Sequence, residues 1–206
     1  MTTKRLSADE RRKQILKSAI KVFAEMTYHG ATTKRIAEEA GITEALIYRY
    51  FGSKRALFTD AIVHTCDRLV LGLETELGRN RDTPLVALSN CFNYYTNVLE
   101  RNQEMAKMIF LVMSELDQPD VRETYLPYQE KVLKIIADTI DYWNANGFLV
   151  SGEGFSPKTA SWLYYGTFLI LALVKQSHGN VSIDANFAIE LAKPYFAPKA
   201  FRLVPE

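Results

Sequence analysis

Hydrophobic positions recur at helical spacing along almost the whole of this chain. The first such stripe consists of Ile15, Leu16, Ala19, Ile20 and Phe23. Residues spaced three and four apart share one face of a helix, so this stripe predicts an amphipathic helix. Ser7 and Glu10 precede it in the S-x-x-E order of a capping box, which predicts where the helix begins. No strand-like alternation competes with the helical pattern later in the chain, and the sequence predicts an all-α fold.

Two short helices joined by a tight turn are predicted between Thr32 and Phe51. The first, from Thr33 to Ala40, should end at Gly41, because a residue without a Cβ adopts the left-handed conformation most easily. Thr43 then provides an N-cap, whose hydroxyl can accept a backbone amide of the second helix. This arrangement is typical of a helix-turn-helix, in which the second helix lies in the DNA major groove, and an ordinary helical hairpin is the alternative.

Positive charge is concentrated near this pair of helices. Lys54 and Arg55 follow a cap at Ser53, in the first turn of the next helix, where the helix dipole disfavours cations. Their position indicates an external anion, and a DNA phosphate is the obvious one. Residues 1–58 contain 12 Lys and Arg against 6 Asp and Glu, whereas the rest contains 13 against 18. The basic end is therefore predicted to be the nucleic-acid end.

Residues Arg11 to Leu57 resemble the DNA-binding domain of the tetracycline-repressor (TetR) family of bacterial transcription regulators. The resemblance rests on the apolar helix ILKSAIKVFAE, then T-T-x-x-I-A-x-x-A-G-I-T, then L-I-Y-R-Y-F-x-S-K-x-x-L, in the family's order and spacing. It covers about a quarter of the chain, and the remainder is similar only in length and helical character. One departure is Glu44, which puts an acid near the DNA beside the small Ala45.

The resemblance implies a bacterial, homodimeric regulator that binds a palindromic operator in double-stranded DNA. It implies a repressor, released by a small hydrophobic or aromatic effector, with a DNA-binding domain at residues 1–53 and a ligand-binding and dimerisation domain at 54–206. Carried over by position, the contacts to phosphate are assigned to Thr33, Thr43, Tyr48 and Lys54. The contacts to base edges are assigned to Lys34, Ala45, Arg49 and Tyr50.

A later segment, WLYYGTFLILALV, is apolar around its whole circumference. It lies in a helix that the N-cap Ser156 and Pro157 are predicted to open. A helix of this kind must be covered on all sides, and a second subunit is the most plausible cover this near the end of the chain. A central core helix in a monomer is the alternative. The residues predicted for dimerisation are Gly166, Ile170, Leu173, Phe187 and Leu191.

Aromatic and methionine side chains are dense between Phe92 and Phe168. Most are expected to be ordinary core, but their mixture of adaptable and polar-tipped side chains suits a pocket for a flat or chain-like apolar ligand. The candidate pocket residues are Phe92, Tyr95, Phe110, Met113, Tyr128, Trp143, Trp162, Tyr165 and Phe168. The helix from Ser53 to Gly78 is expected to carry the effect of a ligand to the DNA-binding end.

Other chemistry is weakly represented. Cys66 and Cys91 lie on apolar helical patterns and are predicted to be buried thiols in a reducing cytoplasm. The longest apolar run, Trp162 to Val174, is too short to cross a bilayer. His64 and Asp67 have a spacing that can share a metal, but such a pair alone is more often a structural contact. We therefore predict no metal, no cofactor and no membrane association.

Two classes other than an effector-controlled regulator need to be weighed. An all-helical enzyme would need a nucleophile with a base, paired carboxylates or a metal set, and none stands out, so no enzymatic activity is predicted. A helical protein-interaction module would explain the apolar core but not the division of charge. A DNA-binding regulator without a small-molecule effector also remains open.

Overall fold

The computed structural model describes residues 6–150, 156–178, 189–190, 192–197 and 200, and at 175–178 only the backbone. Within these residues the chain forms eight α-helices, a 3₁₀ turn at Lys193–Tyr195 and an isolated bridge between Leu149 and Phe196. The all-α prediction is confirmed. The helices are α1 (Ala8–Gly30), α2 (Thr33–Ala40), α3 (Glu44–Phe51), α4 (Lys54–Arg79), α5 (Pro84–Arg101), α6 (Gln103–Ser114), α7 (Pro119–Ala145) and α8 (Pro157–His178).

Several helix ends are set by the predicted caps. The Ser7 hydroxyl accepts from the Glu10 backbone N–H at 3.2 Å, and the Ser7 N–H donates to the Glu10 carboxylate at 2.7 Å, which completes the capping box. Gly41 ends α2 with φ 64° and ψ 39°. Thr43 is the N-cap of α3, but its side chain accepts no capping hydrogen bond, so that detail of the prediction is wrong. The Thr43 carbonyl instead accepts from the Leu46 N–H, which tightens the first turn.

The chain divides into two compact units. Unit 1 consists of Met1–Cys66 and Gln103–Leu126, and unit 2 consists of Asp67–Asn102 and Pro127–Glu206. Helices α4 and α7 each contribute residues to both units. This division describes packing, and the predicted functional boundary at residue 53 stays a prediction.

Unit 1 is built around the apolar face of α1. Helix α1 packs against α2 and α6, and α2 packs against α3. The completely buried side chains here include Ile15, Phe23, Ile36, Ile47, Leu57, Phe58 and Met108. The stripe predicted from the first helix therefore forms the centre of this unit, and the burial of Ile36 and Ile47 attaches α2 and α3 to it.

Helix α1 is interrupted near its end. Thr27 has φ 61° and ψ 173°, and it is the one non-glycine residue with positive φ among the residues described. The break precedes Tyr28, whose ring lies 4.8 Å from the Phe58 ring between centroids. The interruption therefore changes the direction of the chain where an aromatic side chain joins the core.

Unit 2 has its own core. Its buried side chains include Leu77, Leu85, Leu88, Ile136, Ile140 and Trp143. The Trp143 indole N–H donates to the Arg81 carbonyl at 2.7 Å, which satisfies its polar atom in the core. Helix α5 packs against α8.

Helix α7 continues through an internal proline. Pro127 lies inside α7 without ending it, and the helix ends just before Gly147, which has φ 68°. Phe187 and Leu191, two of the residues predicted for dimerisation, lie outside the described residues. Among the helices described, none combines the length and the apolar character needed to cross a membrane.

Candidate nucleic-acid interface

The α2–turn–α3 segment has the backbone of a tight helix-turn-helix. After Gly41, the Ile42 N–H returns to the Ala37 carbonyl at 3.0 Å, so the last turn of α2 is closed by the turn residues themselves. The side-chain amide of Gln14 on α1 donates to the Ala40 carbonyl at 2.8 Å. With Ile47 fully buried beneath α3, these bonds hold the two short helices on the core of unit 1.

The residues predicted to reach base edges lie mostly at the surface. Lys34, Ala45 and Arg49 are exposed, and Tyr50 is half-buried. Neither Lys34 nor Arg49 has an ion-pair partner among the residues that the structure describes. These two cations are therefore available to an external anion or base, and their roles stay predictions.

Two residues predicted to hold phosphate are engaged inside unit 1. Thr33 is buried, and its hydroxyl donates to the Glu44 carboxylate. The Tyr48 hydroxyl lies 3.1 Å from the same Thr33 oxygen, while the Tyr48 side chain is about half exposed. Thr43, the third predicted phosphate contact, is exposed.

Lys54 and Arg55 have internal partners at the start of α4. The Lys54 ammonium donates to the Ala31 carbonyl at 2.7 Å and lies 4.5 Å from the centroid of the Tyr28 ring. Desolvation lowers the pKa of Lys54. The Arg55 guanidinium donates two hydrogen bonds of 2.5 Å to the Asp120 carboxylate, and these bonds hold the pKa of Asp120 below its usual value.

The inference that these cations require an external anion is therefore wrong for Arg55. Its anion is Asp120, which is distant in sequence and in the same unit. For Lys54, the carbonyl and the ring provide part of the compensation, and its contact with phosphate stays a prediction. Other basic side chains of unit 1 are also paired, namely Arg12 with Asp60, Lys21 with Glu39 and Arg35 with Glu38 and Glu39.

Comparison with known proteins identifies this segment. A model of the family described as "Bacterial regulatory proteins, tetR family" matches residues 15–61, which run from α1 through the turn into α4. This segment therefore matches the TetR family. The names that its relatives carry describe transcriptional regulators rather than enzymes.

The similarity to individual TetR-family proteins is moderate in sequence and extensive in fold. The transcriptional activator FasR of Mycolicibacterium smegmatis is 32% identical over 109 residues, which are 52% of this chain and 48% of that protein. The chain thus spans about half the length of this relative. A TetR-family regulator from Agrobacterium tumefaciens superposes with a TM-score of 0.80 at 18% identity, covering 93% of this chain and 100% of that one.

A second similar structure is named as a complex with a ligand. The SmeT–triclosan complex superposes with a TM-score of 0.76 at 19% identity, covering 95% of this chain and 97% of that one. SmeT is described as the repressor of a multidrug efflux pump of Stenotrophomonas maltophilia. At these identities the two structural matches show the fold, which agrees with the all-α architecture.

A cavity in unit 2 is the nearest match to the predicted ligand pocket. The atom-free space there is about 320 Å³, a figure that includes open solvent and is larger than the enclosed part of the cavity. Its lining residues are Leu73, Leu77, Leu88, Cys91, Ile136, Thr139, Ile140, Trp143, Tyr164 and Phe168. Of the nine predicted pocket residues, Trp143 and Phe168 are in this lining. The cavity wall is apolar, and burial raises the pKa of the Cys91 thiol to about 12.

The other predicted pocket residues are dispersed. Phe92 is buried, and Tyr95 packs on the Phe168 ring at 4.9 Å between centroids. Tyr128 donates to Asp67 at 3.0 Å, Tyr165 accepts from Gln129 at 3.4 Å, and Trp162 is half exposed. Phe110 and Met113 belong to unit 1. Cys66 is buried, as predicted, and the described residues contain no cluster of metal-ligating side chains.

Sequence reasoning missed the aliphatic wall of the cavity. Leu73 and Leu77 are one helical turn apart on α4, and Leu88 and Cys91 are three apart on α5. Their periodicity was visible, but aliphatic residues at helical spacing are the ordinary signature of core. The density of aromatic residues instead favoured the aromatic side chains between Phe92 and Phe168 as pocket residues.

Helix α8 presents an apolar face to solvent. Ile170 is 62% exposed and Leu173 is 53% exposed, and Leu163 is exposed to the same degree as Leu173. A Cβ built on Gly166 would meet no atom within 4 Å. The opposite side, with Ser161, Leu171 and Ala172, is buried. Among the described residues, α8 is therefore buried on one side and exposed on the other. Its exposed face contains three of the five residues predicted for dimerisation, namely Gly166, Ile170 and Leu173.

Proposed function

We propose that this protein is a transcriptional regulator that binds double-stranded DNA through α3. The observation that carries the proposal is the helix-turn-helix of unit 1, with Lys34 and Arg49 exposed and unpaired among the described side chains. Exposed cations on such a unit suit phosphates and the acceptor edge of guanine. The match of residues 15–61 to the TetR family model supports the same function.

The direct test is a salt titration of DNA binding. Fluorescence anisotropy of a labelled random-sequence duplex, and of a site selected from a random pool, should give saturable binding that weakens steeply with salt. Arg49→Ala should cost about 1–3 kcal/mol at one base position of the selected site. Lys54→Ala should lower the salt slope by about one unit.

Lys107→Ala is the matched control for these variants. It removes an exposed cation from α6 of the same unit, away from the helix-turn-helix. It should leave both the affinity and the slope unchanged. Binding that is insensitive to salt, or equal losses in Lys107→Ala and Arg49→Ala, would contradict the proposal and favour a protein-interaction module.

The exposed face of α8 supports a homodimer as the functional form. Leu163, Gly166, Ile170 and Leu173 follow one another at intervals of three and four residues, which places them on one stripe. Exposed apolar stripes of this kind are typical of protein interfaces, and Gly166 would allow close approach of a second helix. A dimer would also require an operator of near two-fold symmetry.

Sedimentation analysis tests the dimer. Wild-type protein should sediment as a dimer, and Ile170→Glu should sediment as a monomer with weakened affinity for a two-half-site operator, because the charge would be buried without a partner. Asn144→Glu, at an exposed position of α7, is the control and should remain dimeric. A monomeric wild type, or selected sites without two-fold symmetry, would contradict this part of the proposal.

A small hydrophobic or aromatic effector is proposed to release the protein from DNA, and the apolar cavity of unit 2 supports it. The triclosan complex of SmeT, a protein of the same fold, makes triclosan and fatty-acyl compounds sensible probes. Because FasR is named an activator and SmeT a repressor, a reporter assay is needed for the sign of regulation. Repression relieved by the effector is the expected result.

The effector test uses thermodynamic reciprocity. A compound that lowers operator affinity tenfold, about 1.4 kcal/mol, must itself bind tenfold more weakly when operator DNA is present. Phe168→Ala should weaken binding of the compound, and without the compound it should leave the affinity for DNA unchanged. A compound that binds equally with and without DNA would favour a regulator without an effector at this cavity.

A further inference from the structure

Three side chains form a hydrogen-bonded chain across the helix-turn-helix. Thr33 is the first residue of α2, Glu44 is the first residue of α3, and Tyr48 lies one turn further along α3. The Thr33 hydroxyl donates to the Glu44 carboxylate and lies 3.1 Å from the Tyr48 hydroxyl. Thr33 is buried, whereas Glu44 and Tyr48 are exposed, so the chain runs from beneath α3 to the surface.

The direction of every bond in this chain follows from counting protons. A carboxylate accepts hydrogen bonds and has none to donate, and each hydroxyl has one proton. Thr33 gives its proton to Glu44, so the bond between Thr33 and Tyr48 must be donated by Tyr48. The order is therefore Tyr48 to Thr33 to Glu44, and both hydroxyl protons point along the chain toward one negative charge.

We infer that Glu44 limits the affinity of this protein for DNA by holding the donor protons of Thr33 and Tyr48. The inference rests on the proposed function and on the prediction that Thr33 and Tyr48 are phosphate contacts. A phosphate oxygen needs a donor, and in this arrangement neither hydroxyl has one to offer. The Glu44 carboxylate also brings a like charge toward the phosphates. Glu44 thus acts through Thr33 and Tyr48 and is a positioning residue.

The same carboxylate could instead act on a base. Carboxylates accept from the amino group of cytosine in the major groove, and Glu44 begins the helix that is proposed to lie there. The commitment of Glu44 to the buried Thr33 hydroxyl favours the restraining role, because reading a cytosine would require that bond to be broken. The two roles predict opposite effects of removing the carboxylate.

The experiment measures binding of the full chain to a random-sequence duplex and to the selected operator by fluorescence anisotropy. Glu44→Ala should bind both duplexes roughly tenfold more tightly, as expected when one charge-assisted hydrogen bond no longer competes. Glu44→Gln is a second variant that keeps the shape of the side chain, and it should shift affinity in the same direction. Glu38→Ala is the control for charge alone, because it removes an exposed carboxylate from α2 and leaves Arg35 paired with Glu39.

A double-mutant cycle isolates the hydroxyl chain. Tyr48→Phe removes only the hydroxyl, and in the wild-type background it should change DNA affinity by less than about twofold, because its proton is already committed. In the Glu44→Ala background the same change should weaken binding about fivefold, because the released proton then reaches phosphate. Thr33→Val should show the same dependence on background.

Each alternative outcome has a distinct meaning. Equal tightening by Glu38→Ala, or additive effects of Glu44→Ala and Tyr48→Phe, would overturn the hydroxyl chain and leave only general electrostatics. Loss of operator affinity in Glu44→Ala without change on random DNA would show that Glu44 reads a base. Failure of wild-type protein to bind any duplex would overturn the proposed function, whereas binding that Glu44→Ala does not tighten would overturn this inference alone.

Discussion

Replacing Thr27 with glycine should stabilise the protein, because Thr27 has a backbone conformation that residues with a Cβ rarely adopt. Its φ of 61° and ψ of 173° lie in a region occupied almost only by glycine. Holding another residue there costs on the order of 1–3 kcal/mol. The side chain of Thr27 is exposed, so its removal should cost little packing.

The expected gain is smaller than the strain, since glycine also makes the unfolded chain more flexible. That entropy costs about 0.5–1 kcal/mol. The net increase in the free energy of unfolding should therefore lie between roughly 0 and 2.5 kcal/mol. In a chain of this size each kcal/mol raises the midpoint of thermal unfolding by about 2–4 °C.

Urea unfolding followed by far-UV circular dichroism is the assay, with tryptophan fluorescence as a second probe. Both tryptophans, Trp143 and Trp162, belong to unit 2, whereas Thr27 belongs to unit 1. If the units unfold separately, the midpoint by circular dichroism should rise more than the midpoint by fluorescence. Thr27→Ala is the matched control, and it should stay close to the wild type because it keeps a Cβ at the same φ.

Two results would refute the argument for backbone strain. Destabilisation by Thr27→Gly would show that the backbone strain at Thr27 is smaller than the entropy that glycine loses on folding. Equal stabilisation by Thr27→Ala would assign the effect to the threonine side chain rather than to its φ.

Two further predictions concern packing and pH. Gly72→Ala should lower the free energy of unfolding by about 1–3 kcal/mol, because an added Cβ would lie 2.0 Å from the Tyr94 ring. The control Gly78→Ala should raise the free energy of unfolding by up to about 1 kcal/mol, because its added Cβ would meet no atom within 4 Å. Equal effects of the two variants in urea titrations would contradict this prediction. Arg55 holds the pKa of Asp120 below its ordinary 3.8, so the stabilisation of this pair is fully present above that pH and is lost as the pH falls through the folded-state value. Asp120→Asn should therefore reduce the pH dependence of unfolding below about pH 4 and leave its slope near neutral pH unchanged.

The parts of the fold that sequence reasoning predicted well are those set by neighbours in sequence. The capping box of Ser7 and Glu10 and the left-handed turn at Gly41 involve residues three or four apart, so the residue types alone indicate them. The N-cap at Ser53 is also confirmed, since its hydroxyl accepts from the Ala56 N–H at 3.0 Å. Thr43 was located correctly, but the geometry of its hydroxyl depends on the exact first turn of α3.

Contacts between distant segments were beyond a single sequence. Arg55 and Asp120 are 65 positions apart, and Thr33 and Glu44 are 11 apart across a turn. The helix dipole correctly indicates that an anion lies near Arg55. A single sequence does not show that this anion is Asp120, because the two residues are far apart along the chain.

The candidate pocket shows a different limit. Composition indicated that aromatic side chains are dense between Phe92 and Phe168, but composition contains no information on which side of each helix faces a cavity. Phe92 is in the core, Trp162 is half exposed, and the aliphatic Leu73 contributes to the cavity wall instead. Which side chains face the cavity depends on how the helices cross, and the crossing depends on contacts that the hydrophobic period does not specify.

The internal pairing of cations also determines which basic residues are available to bind DNA. Four of the 12 Lys and Arg residues in the first 58 positions form ion pairs within unit 1, namely Arg12, Lys21, Arg35 and Arg55. A charge that already has a partner must lose that partner, or share it, before it can bind a phosphate, so it contributes less to affinity than a solvated one. The prediction of DNA binding therefore depends less on Lys54 and Arg55, at the start of α4, and more on Lys34 and Arg49. These two lie on α2 and α3 and so place available charge on the helix-turn-helix itself, while the exposed Lys13 and Lys17 add charge on α1.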